Sequence, residues 1–416
     1  MVPIMNDSCT SHGLIRLETA LHRLFAGIKP ISDTEEVSLE ASLGRVLAQP
    51  VISPINVPGH DNSAMDGYAL ALADLEQNDH LLLAGQSLAG HPFSGSLPAG
   101  HCVRIMTGAT IPDGADTVIM QEQTEITDQG IRFDHKPDKT GNNIRTAGED
   151  IAQGAQVFAP GRKIRPQDIG LLASVGIAHV TVFRRLTVAV FSTGDELKLP
   201  GEPLGHGDIY DSNRFVINAM LSNMGVKIID LGRIPDDKEA LRQAFLTADQ
   251  QADALITSGG VSVGDADYTK EILDELGETG FWKLAIKPGK PFAFGHLPNS
   301  VFFGLPGNPV SATVTLQQLA APALRHMMNL TPKAPTELML TTQTRLKKRP
   351  GRRDFQRGKL VYTDHGELQV MAIAHQGSGV LSSMSEADCY IVLAEEDGDK
   401  RPGEQVRVQL FDELLQ

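Results

Sequence analysis

The chain has 416 residues, too many for one hydrophobic core, and a usual domain size of about 150 residues predicts roughly three domains. Acidic residues number 51 against 37 lysines and arginines, so the net charge of −14 disfavours nucleic acid and anionic membranes as partners. Three widely spaced cysteines, the absence of a bilayer-length apolar stretch and an N-terminus unlike a signal peptide predict a soluble, cytoplasmic protein.

The N-terminal region predicts helices separated by an extended crossing. Apolar residues recur at helical spacing over residues 13–24, and a second short helix is expected over 39–47. Residues 166–174 begin with Pro166 and resemble these helices in character. The pattern therefore predicts a discontinuous N-terminal domain, residues 8–53 and 151–184, interrupted by an insertion over residues 54–150.

The predicted insertion is rich in short apolar runs separated by glycine and proline, which indicates a β-rich domain. Two polar turns within it are candidate binding elements. One contains Asp66 in the stretch His60-Asp-Asn-Ser-Ala-Met-Asp-Gly-Tyr-Ala69, and the other contains Thr107, where a strand ends before Gly108. The alternative for the first turn is that its side chains bond only to their own backbone.

From residue 185 to residue 331 the sequence alternates short apolar runs with amphipathic helices. Strands are expected over residues 187–191, 226–231, 254–257 and 301–305. Such alternation predicts an α/β domain with a mostly parallel sheet, whose ligands lie outside the carboxyl ends of the strands.

Carboxylates follow three of these strands. Mg²⁺ is commonly bound by one or two carboxylates together with substrate phosphate oxygens, so converging carboxylates at one edge would suit it. The candidate metal ligands are Glu196, Asp236 and Asp267, with Asp195, Asp237 and Asp265 beside them. Helix capping is the alternative for each pair, and it is strongest for Asp236 and Asp237.

Glycines, lysines and prolines near the same edge are candidate substrate contacts. Gly259 and Gly260 stand between Ser258 and Ser262 and would let backbone N–H groups approach a phosphate. Local positive charge comes from Lys283, Lys287 and Lys290, although solvated surface lysines are the ordinary alternative. The rigid turn after the last strand contributes Pro306, Asn308 and Pro309.

Residues 332–416 carry five alternating segments that predict a small β-barrel or sandwich. Six polar residues fall in or beside its turns and are candidates for an anion site: Arg352, Arg353, Arg357, His375, Ser378 and Ser383. Residue type alone favours an ordinary polar surface over that reading.

Several motifs together closely resemble the molybdopterin molybdenumtransferase (MoeA/gephyrin E-domain) family, from about residue 13 to residue 410. They are Asp61-Asn-Ser-Ala-Met-Asp-Gly-Tyr68, Arg104-Ile-Met-Thr-Gly108, Ser192-Thr-Gly-Asp-Glu196, Ser258-Gly-Gly-Val-Ser-Val-Gly264, Lys287-Pro-Gly-Lys-Pro291, Gly304-Leu-Pro-Gly-Asn-Pro-Val-Ser-Ala312 and Pro350-Gly-Arg352.

The resemblance implies an enzyme of molybdenum-cofactor biosynthesis. Its substrates would be adenylylated molybdopterin and molybdate, and Mg²⁺-dependent cleavage of the adenylyl phosphate linkage would release AMP. The family pattern also implies a homodimer of four-domain subunits, with a central α/β domain like that of the MogA protein. Each active site would be shared, so that Asp66 and Thr107 close the cleft of the opposite subunit.

Residue roles follow from that implication. Catalysis would involve Asp66, Thr107, Glu196, Asp236, Asp267, Lys283 and Lys287. The adenylylated pterin would contact Ser258, Gly259, Gly260, Ser262, Lys290, Pro306, Asn308 and Pro309, and molybdate would contact Arg352 and Ser378. The expected partners are a molybdopterin adenylyltransferase and apo-molybdoenzymes, without nucleic acid or membrane.

Two alternative functions remain open. A molybdopterin adenylyltransferase shares the Ser-Gly-Gly signature of the α/β segment but lacks the flanking domains. A gephyrin-like scaffold clusters receptors, but this chain has neither a long linker nor a second α/β domain. Both alternatives are therefore less favoured than molybdenum transfer.

Overall fold

The computed structural model describes residues 13–76, 78–260 and 268–415, and divides into two compact units. The smaller unit comprises residues 36–182, and the larger unit comprises the chain before and after it. Within the described ranges, no helix is both long and apolar enough to cross a membrane. The four predicted domain boundaries are not tested by this division and stay predictions.

The first helix, α1 (Leu17–Gly27), belongs to the larger unit and buries Leu17, Ala20 and Leu24. The smaller unit contains α2 (Pro166–Ser174). The chain enters this unit in the strand Thr34–Ser38 and leaves it in the strand His179–Phe183. The strands in this part of the chain are β1 (Thr34–Ser38), β2 (Val51–Ile52), β3 (Asn62–Ser63), β4 (Gly67–Leu70), β5 (His80–Ser87), β6 (His101–Ile105), β7 (Thr117–Met120), β8 (Thr124–Thr127), β9 (Gly130–Phe133), β10 (Ile144–Arg145), β11 (Gln156–Phe158) and β12 (His179–Phe183).

A six-stranded sheet in the order β7-β4-β6-β5-β9-β8 occupies the predicted β-rich insertion. Its apolar side is buried around Tyr68, Leu70 and Ile119. Gly67 lies where this sheet is most crowded, because a Cβ there would come within 2.0 Å of the Ile119 carbonyl oxygen. The β-rich character that the sequence predicts is confirmed.

The helix predicted over residues 39–47 is wrong. The structure has only a 3₁₀ turn, Glu40–Ser42, followed by Gly44 in the left-handed region at φ 72°. Val46 and Leu47 then form isolated β-bridges to Lys163 and Val182. Val46 and Leu47 are therefore buried where they pair with neighbouring segments, whereas Leu43 is exposed.

The larger unit contains an α/β sheet and a C-terminal barrel. Its helices are α3 (Asn213–Met224), α4 (Lys238–Gln251), α5 (Tyr268–Leu276), α6 (Pro309–Thr315), α7 (Ala321–Met327) and α8 (Ser382–Ser385). Its strands are β13 (Thr187–Thr193), β14 (Leu197–Lys198), β15 (Ile209–Tyr210), β16 (Lys227–Ile234), β17 (Ala254–Ser258), β18 (Glu278–Lys283), β19 (Ile286–Lys287), β20 (Pro291–His296), β21 (Val301–Leu305), β22 (Glu337–Thr341), β23 (Arg353–Tyr362), β24 (Leu368–Ala372), β25 (Cys389–Leu393) and β26 (Gln405–Leu410).

The α/β sheet has the order β16-β13-β17-β21-β20-β18, and its first four strands are parallel. Val190, Ile256 and Phe303 in the three central parallel strands are fully buried between the covering helices. Gly225, at φ 86°, ends α3. The predicted parallel α/β domain is confirmed.

The C-terminal barrel is built by the strands in the order β24-β23-β25-β26-β22. An isolated bridge between Thr342 and Val370 brings the chain after β22 back to β24, which closes the ring. The short strand β19 pairs in parallel with the start of β23 and so joins the lysine-bearing segment of the α/β domain to the barrel. The predicted β-barrel is confirmed.

Asp168 in α2 provides a test of stability in the smaller unit. This carboxylate is 2% exposed and accepts paired hydrogen bonds from Arg162 at 3.0 and 2.7 Å. Burial by itself raises the pKa of Asp168, but hydrogen bonds from Arg162 and Arg165 outweigh it and lower that pKa to about 2. The carboxylate therefore contributes stability that is fully present above its ordinary pKa and is lost as pH falls through the folded value.

We expect Asp168→Asn to lower the free energy of unfolding by about 2 kcal/mol at pH 7. The difference from the wild type should shrink below about pH 4, where the unfolded carboxyl is already protonated. Urea unfolding between pH 7 and pH 3 measures this difference, and Asp128→Asn in the exposed β8–β9 turn is the control. A deficit that does not change with pH contradicts the assignment.

Candidate active site

The carboxyl ends of the parallel strands finish side by side. Ser192 of β13 pairs with Ser258 of β17, and Ser258 pairs in turn with Leu305 of β21. On the other side of β13, Thr193 is level with Ile234 of β16. The loops that carry most of the sequence-predicted site residues therefore leave the sheet from one edge, which we call the rim.

The carboxylates after β13 and β16 lie close together on the rim. Asp236 accepts a short hydrogen bond from the Thr193 hydroxyl, and the Asp236 N–H donates to Asp195 Oδ1 at 3.3 Å. The Glu196 carboxylate folds back beside Gly194, where an added Cβ would meet Glu196 Oε2 at 2.7 Å. Glu196 and Asp236 thus supply oxygen donors on neighbouring loops.

The predicted third metal ligand, Asp267, and its neighbour Asp265 lie outside the described residues. Within the described part of the chain, no group of three histidine, cysteine or acidic side chains is placed to hold a metal ion. The metal set of Glu196, Asp236 and Asp267 therefore stays a prediction.

The sequence left open whether Asp236 and Asp237 bind a metal ion or cap a helix, and the structure places their two side chains differently. Asp237 is the N-cap of α4 and its side chain accepts from the Ala240 N–H at 2.9 Å. Asp236 instead bonds to Thr193 at the end of the neighbouring strand. The capping alternative therefore holds for Asp237, whereas Asp236 points its carboxylate to the rim.

Gly259 and Gly260 form a close turn after β17. Both have positive φ, at 93° and 65°. A Cβ on Gly259 would lie 2.8 Å from the Thr193 carbonyl oxygen, and one on Gly260 would lie 2.5 Å from Thr269 Oγ1. Only glycine fits both the dihedral angles and the space. The Gly259 N–H donates to the Leu305 carbonyl oxygen at 3.2 Å, which holds the turn against the end of β21. Ser262, the other predicted contact, lies outside the described residues.

Asn213, the first residue of α3, is a rim residue that the sequence did not single out as a binding candidate. Its Nδ2 donates to Ser258 Oγ and to the Gly307 carbonyl oxygen, both at 2.7 Å. One amide group thus joins the loop after β17 to the loop after β21. Nothing in the local sequence distinguishes this role, because both partners are distant in the chain.

The loop after β21 places Pro306 in the core, while Asn308 is exposed and Pro309 begins α6. The Val310 N–H, in the first turn of this helix, donates to the Ser378 carbonyl oxygen at 3.0 Å. The rim is therefore tied directly to a barrel loop that contains one of the predicted anion contacts.

The three predicted lysines lie on one short segment beside the barrel. The Leu284 N–H donates to the Lys290 carbonyl oxygen at 2.7 Å, so the segment folds back and brings the backbone of Lys283 and Lys290 to neighbouring positions. Lys287 is half-exposed and its Nζ lies 3.1 Å from Oδ2 of Asp354. Asp354, only 4% exposed at its side chain, was not predicted as a site residue.

Arg352 is placed beside the same lysine segment. The N–H of the next residue, Arg353, donates to the Ala285 carbonyl oxygen at 2.8 Å. Arg352 and Ser378 are both partly exposed. Each is therefore on a barrel loop that is hydrogen-bonded to the α/β domain, one at the lysine segment and the other at α6.

Asp66 and Thr107 are together in the smaller unit. The Thr107 N–H and hydroxyl donate to Asp66 Oδ1 at 2.7 and 2.8 Å. These hydrogen bonds lower the pKa of Asp66 below its ordinary value, and the one from the backbone N–H has the larger effect. The carboxylate is exposed and ionised at neutral pH, and its contact is to another turn, not to its own backbone.

A parallel sheet with a glycine cradle, carboxylates and lysines at its carboxyl edge, joined to a β-barrel, defines a multidomain α/β protein with a site for an anionic ligand. Three family models match in chain order. They are the MoeA N-terminal region (domain I and II) at residues 15–176, the probable molybdopterin binding domain at 189–326, and the MoeA C-terminal region (domain IV) at 340–411.

Known proteins are similar along nearly the whole chain. A molybdopterin molybdenumtransferase of Haemophilus influenzae is 46% identical over 97% of this chain and 100% of its own length. One of Bacillus subtilis is 33% identical over 92% of this chain and 90% of its own. A solved molybdopterin biosynthesis moeA protein of Pyrococcus horikoshii OT3 superposes with a TM-score of 0.82 at 28% identity, covering 96% and 100% of the two chains. The chain belongs to the molybdopterin molybdenumtransferase family.

We expect Gly259→Ala to lower the free energy of unfolding by about 2 kcal/mol more than Gly201→Ala does. Gly201 has a similar φ of 96° but has no atom within 4 Å of an added Cβ, so it reports the dihedral strain alone. Urea unfolding of both variants measures the difference. Equal losses would show that the approach to Thr193 does not constrain the cradle.

Proposed function

We propose that this protein transfers molybdenum to molybdopterin. It takes adenylylated molybdopterin and molybdate, cleaves the adenylyl phosphate linkage with Mg²⁺, releases AMP and leaves molybdenum on the dithiolene sulfurs. The observation that carries this proposal is the 46% identity to a molybdopterin molybdenumtransferase over nearly the full length. Because the similarity includes the flanking regions, it favours this activity over adenylyl transfer or a scaffold role.

The phosphate end of the substrate is held at the rim. The turn at Gly259 and Gly260 cradles phosphate oxygens, with the Gly260 N–H as a donor, and the Ser258 hydroxyl is oriented by Asn213. Lys283, Lys287 and Lys290 add local positive charge to a protein that is acidic overall. Pro306, Asn308 and Pro309 form the neighbouring wall.

Glu196 and Asp236 fit Mg²⁺ as oxygen donors, and Thr193 fixes the orientation of the Asp236 carboxylate. Together with Asp267 they would hold the ion. A bound Mg²⁺ stabilises negative charge on the phosphate oxygens as the linkage breaks. The chain itself needs no covalent nucleophile for this reaction, only groups that position the phosphate and an attacking oxygen.

Molybdate is held by Arg352 and Ser378. A guanidinium and a hydroxyl donate charge-assisted and neutral hydrogen bonds to an oxyanion. Support comes from the attachment of both loops to the α/β domain, at Ala285 and at Val310. The oxyanion would therefore be bound on the barrel side of the pterin site.

Mixing purified protein with adenylylated molybdopterin, molybdate and Mg²⁺ tests the proposal. We expect AMP to be released and an active cofactor to be recoverable in an apo-molybdoenzyme. Release of neither product contradicts the proposed function. A molybdopterin adenylyltransferase supplying the substrate and apo-molybdoenzymes receiving the product are the partners that this chemistry requires.

Asp236→Asn and Asp237→Asn form a matched pair for the metal site. We expect Asp236→Asn to raise the Mg²⁺ concentration for half-maximal AMP release about tenfold, because a neutral amide is a weaker magnesium ligand. Asp237→Asn should leave that concentration unchanged, since Asp237 caps α4. A magnesium titration of AMP release measures both. Equal effects would remove Asp236 from the metal set.

We propose further that the protein is a homodimer in which Asp66 and Thr107 of one subunit complete the active site of the other. Support comes from the ionised, exposed carboxylate that Thr107 holds in place. Fixed anionic and hydroxyl groups of this kind can orient a substrate or a bound cation from the opposite wall of a cleft.

Complementation tests the shared site. Asp66→Asn and Asp236→Asn chains, co-expressed with different tags and purified through both, should give a mixed dimer with about half of the wild-type activity. When Mg²⁺ is kept well below the concentration for half-maximal activity, each variant alone should be much less active than the wild type. A mixed dimer as inactive as its parents would place both residues in the same subunit's site, and recovery of no mixed species would contradict the dimer.

A further inference from the structure

Arg357 in β23 is a buried cation that donates its side-chain hydrogen bonds to neutral groups. It is 1% exposed, and within the described chain no carboxylate lies at ion-pair distance from its guanidinium. Its Nε donates to Ser383 Oγ at 3.0 Å, and its Nη2 donates to the carbonyl oxygens of His375 at 3.4 Å and Gly377 at 3.2 Å. Burying a charge whose hydrogen-bond partners are neutral costs free energy of folding. This cost points to a functional role for Arg357.

The side chain of Gln376, in the loop, forms hydrogen bonds to the backbone of Arg357 in β23. Its Oε1 accepts from the Arg357 N–H at 2.9 Å, and its Nε2 donates to the Arg357 carbonyl oxygen at 2.9 Å. A second hydrogen bond from Nε2 reaches the Ile373 carbonyl oxygen at 2.7 Å. The side chain of Arg357 thus holds the backbone of the loop while the side chain of Gln376 holds the backbone of the strand. We call this pair the Arg357–Gln376 clamp.

The clamp determines where Ser378 lies. Gly377, whose carbonyl oxygen the guanidinium holds, is the residue before it. On its other side, the Ser378 carbonyl oxygen accepts from the Val310 N–H at the start of α6. The serine is therefore fixed between the barrel interior and the rim, although it lies in a loop without regular secondary structure.

We propose that the Arg357–Gln376 clamp positions Ser378 to bind the molybdate oxyanion, and that Arg357 supplies positive charge behind that contact. This inference rests on the proposed function. Arg357 is a positioning residue, because its guanidinium is enclosed and donates to the loop. Its positive charge favours a divalent oxyanion at the loop surface, since charges interact more strongly through a protein interior than through water.

Steady-state kinetics of three variants test the clamp. We expect Arg357→Gln to raise the KM for molybdate about tenfold, the effect of losing one charge-assisted contact. The KM for adenylylated molybdopterin and the kcat at saturating molybdate should stay within about twofold of the wild type, because the rim is unchanged. Gln376→Ala, which keeps the charge, should raise the KM for molybdate less. The control is Arg345→Gln, a barrel arginine whose side chain is 65% exposed and forms an ion pair with Asp399.

The double variant Arg357→Gln with Gln376→Ala separates a clamp from two independent contacts. In a clamp, the effects on the KM for molybdate are less than multiplicative, because the first change already frees the loop. An unchanged KM for molybdate in Arg357→Gln, or equal increases for both substrates, overturns the inference. If Arg357→Gln does not fold, an unchanged KM in Gln376→Ala overturns it instead. Wild-type protein that releases no AMP contradicts the proposed function itself, and this outcome is distinct from the others.

Discussion

The parallel register of β13, β17 and β21 is the constraint on which the candidate site depends. Because these strands finish level with one another, the loops that follow them begin within a few ångströms along one edge. The close turn at Gly259 and Gly260 then packs against the end of β13, and its lack of side chains keeps that approach possible. Residues distant in the chain become neighbours because the strands that carry them are paired.

The barrel contributes to the site through two buried polar contacts. Asp354 lies inside β23 and holds Lys287 of the paired strand β19. Arg357, three residues further along the same strand, holds the loop that carries Ser378. Successive residues of a strand point to opposite faces, and this spacing puts the two contacts on opposite sides of β23. A single barrel strand therefore fixes both the lysine segment and the loop, and a buried charge at each point makes the geometry specific.

Prediction from sequence succeeded for features whose conformation is determined by residues close together in the chain. The alternation of strands and helices predicted the α/β sheet, and the positive φ of Gly259 and Gly260 agrees with a glycine pair after a strand. It was wrong over residues 39–47, where apolar spacing suits a helix but Gly44 and pairing partners in β12 decide otherwise. Periodicity describes which residues are buried and does not by itself say what buries them.

By itself the sequence determined the family, the order of its structural regions and most candidate residues, since long ordered motifs and local periodicity are written in adjacent positions. Only the tertiary structure decided that Asp236 faces the rim while Asp237 caps a helix. It also revealed Asn213 and Asp354, whose partners lie 45 and 67 residues away. For Arg357, which the sequence offered only as a possible anion contact, it supplied the partners 18 to 26 residues away. Such contacts depend on strand register and barrel closure, and no local pattern encodes which distant groups these will bring together.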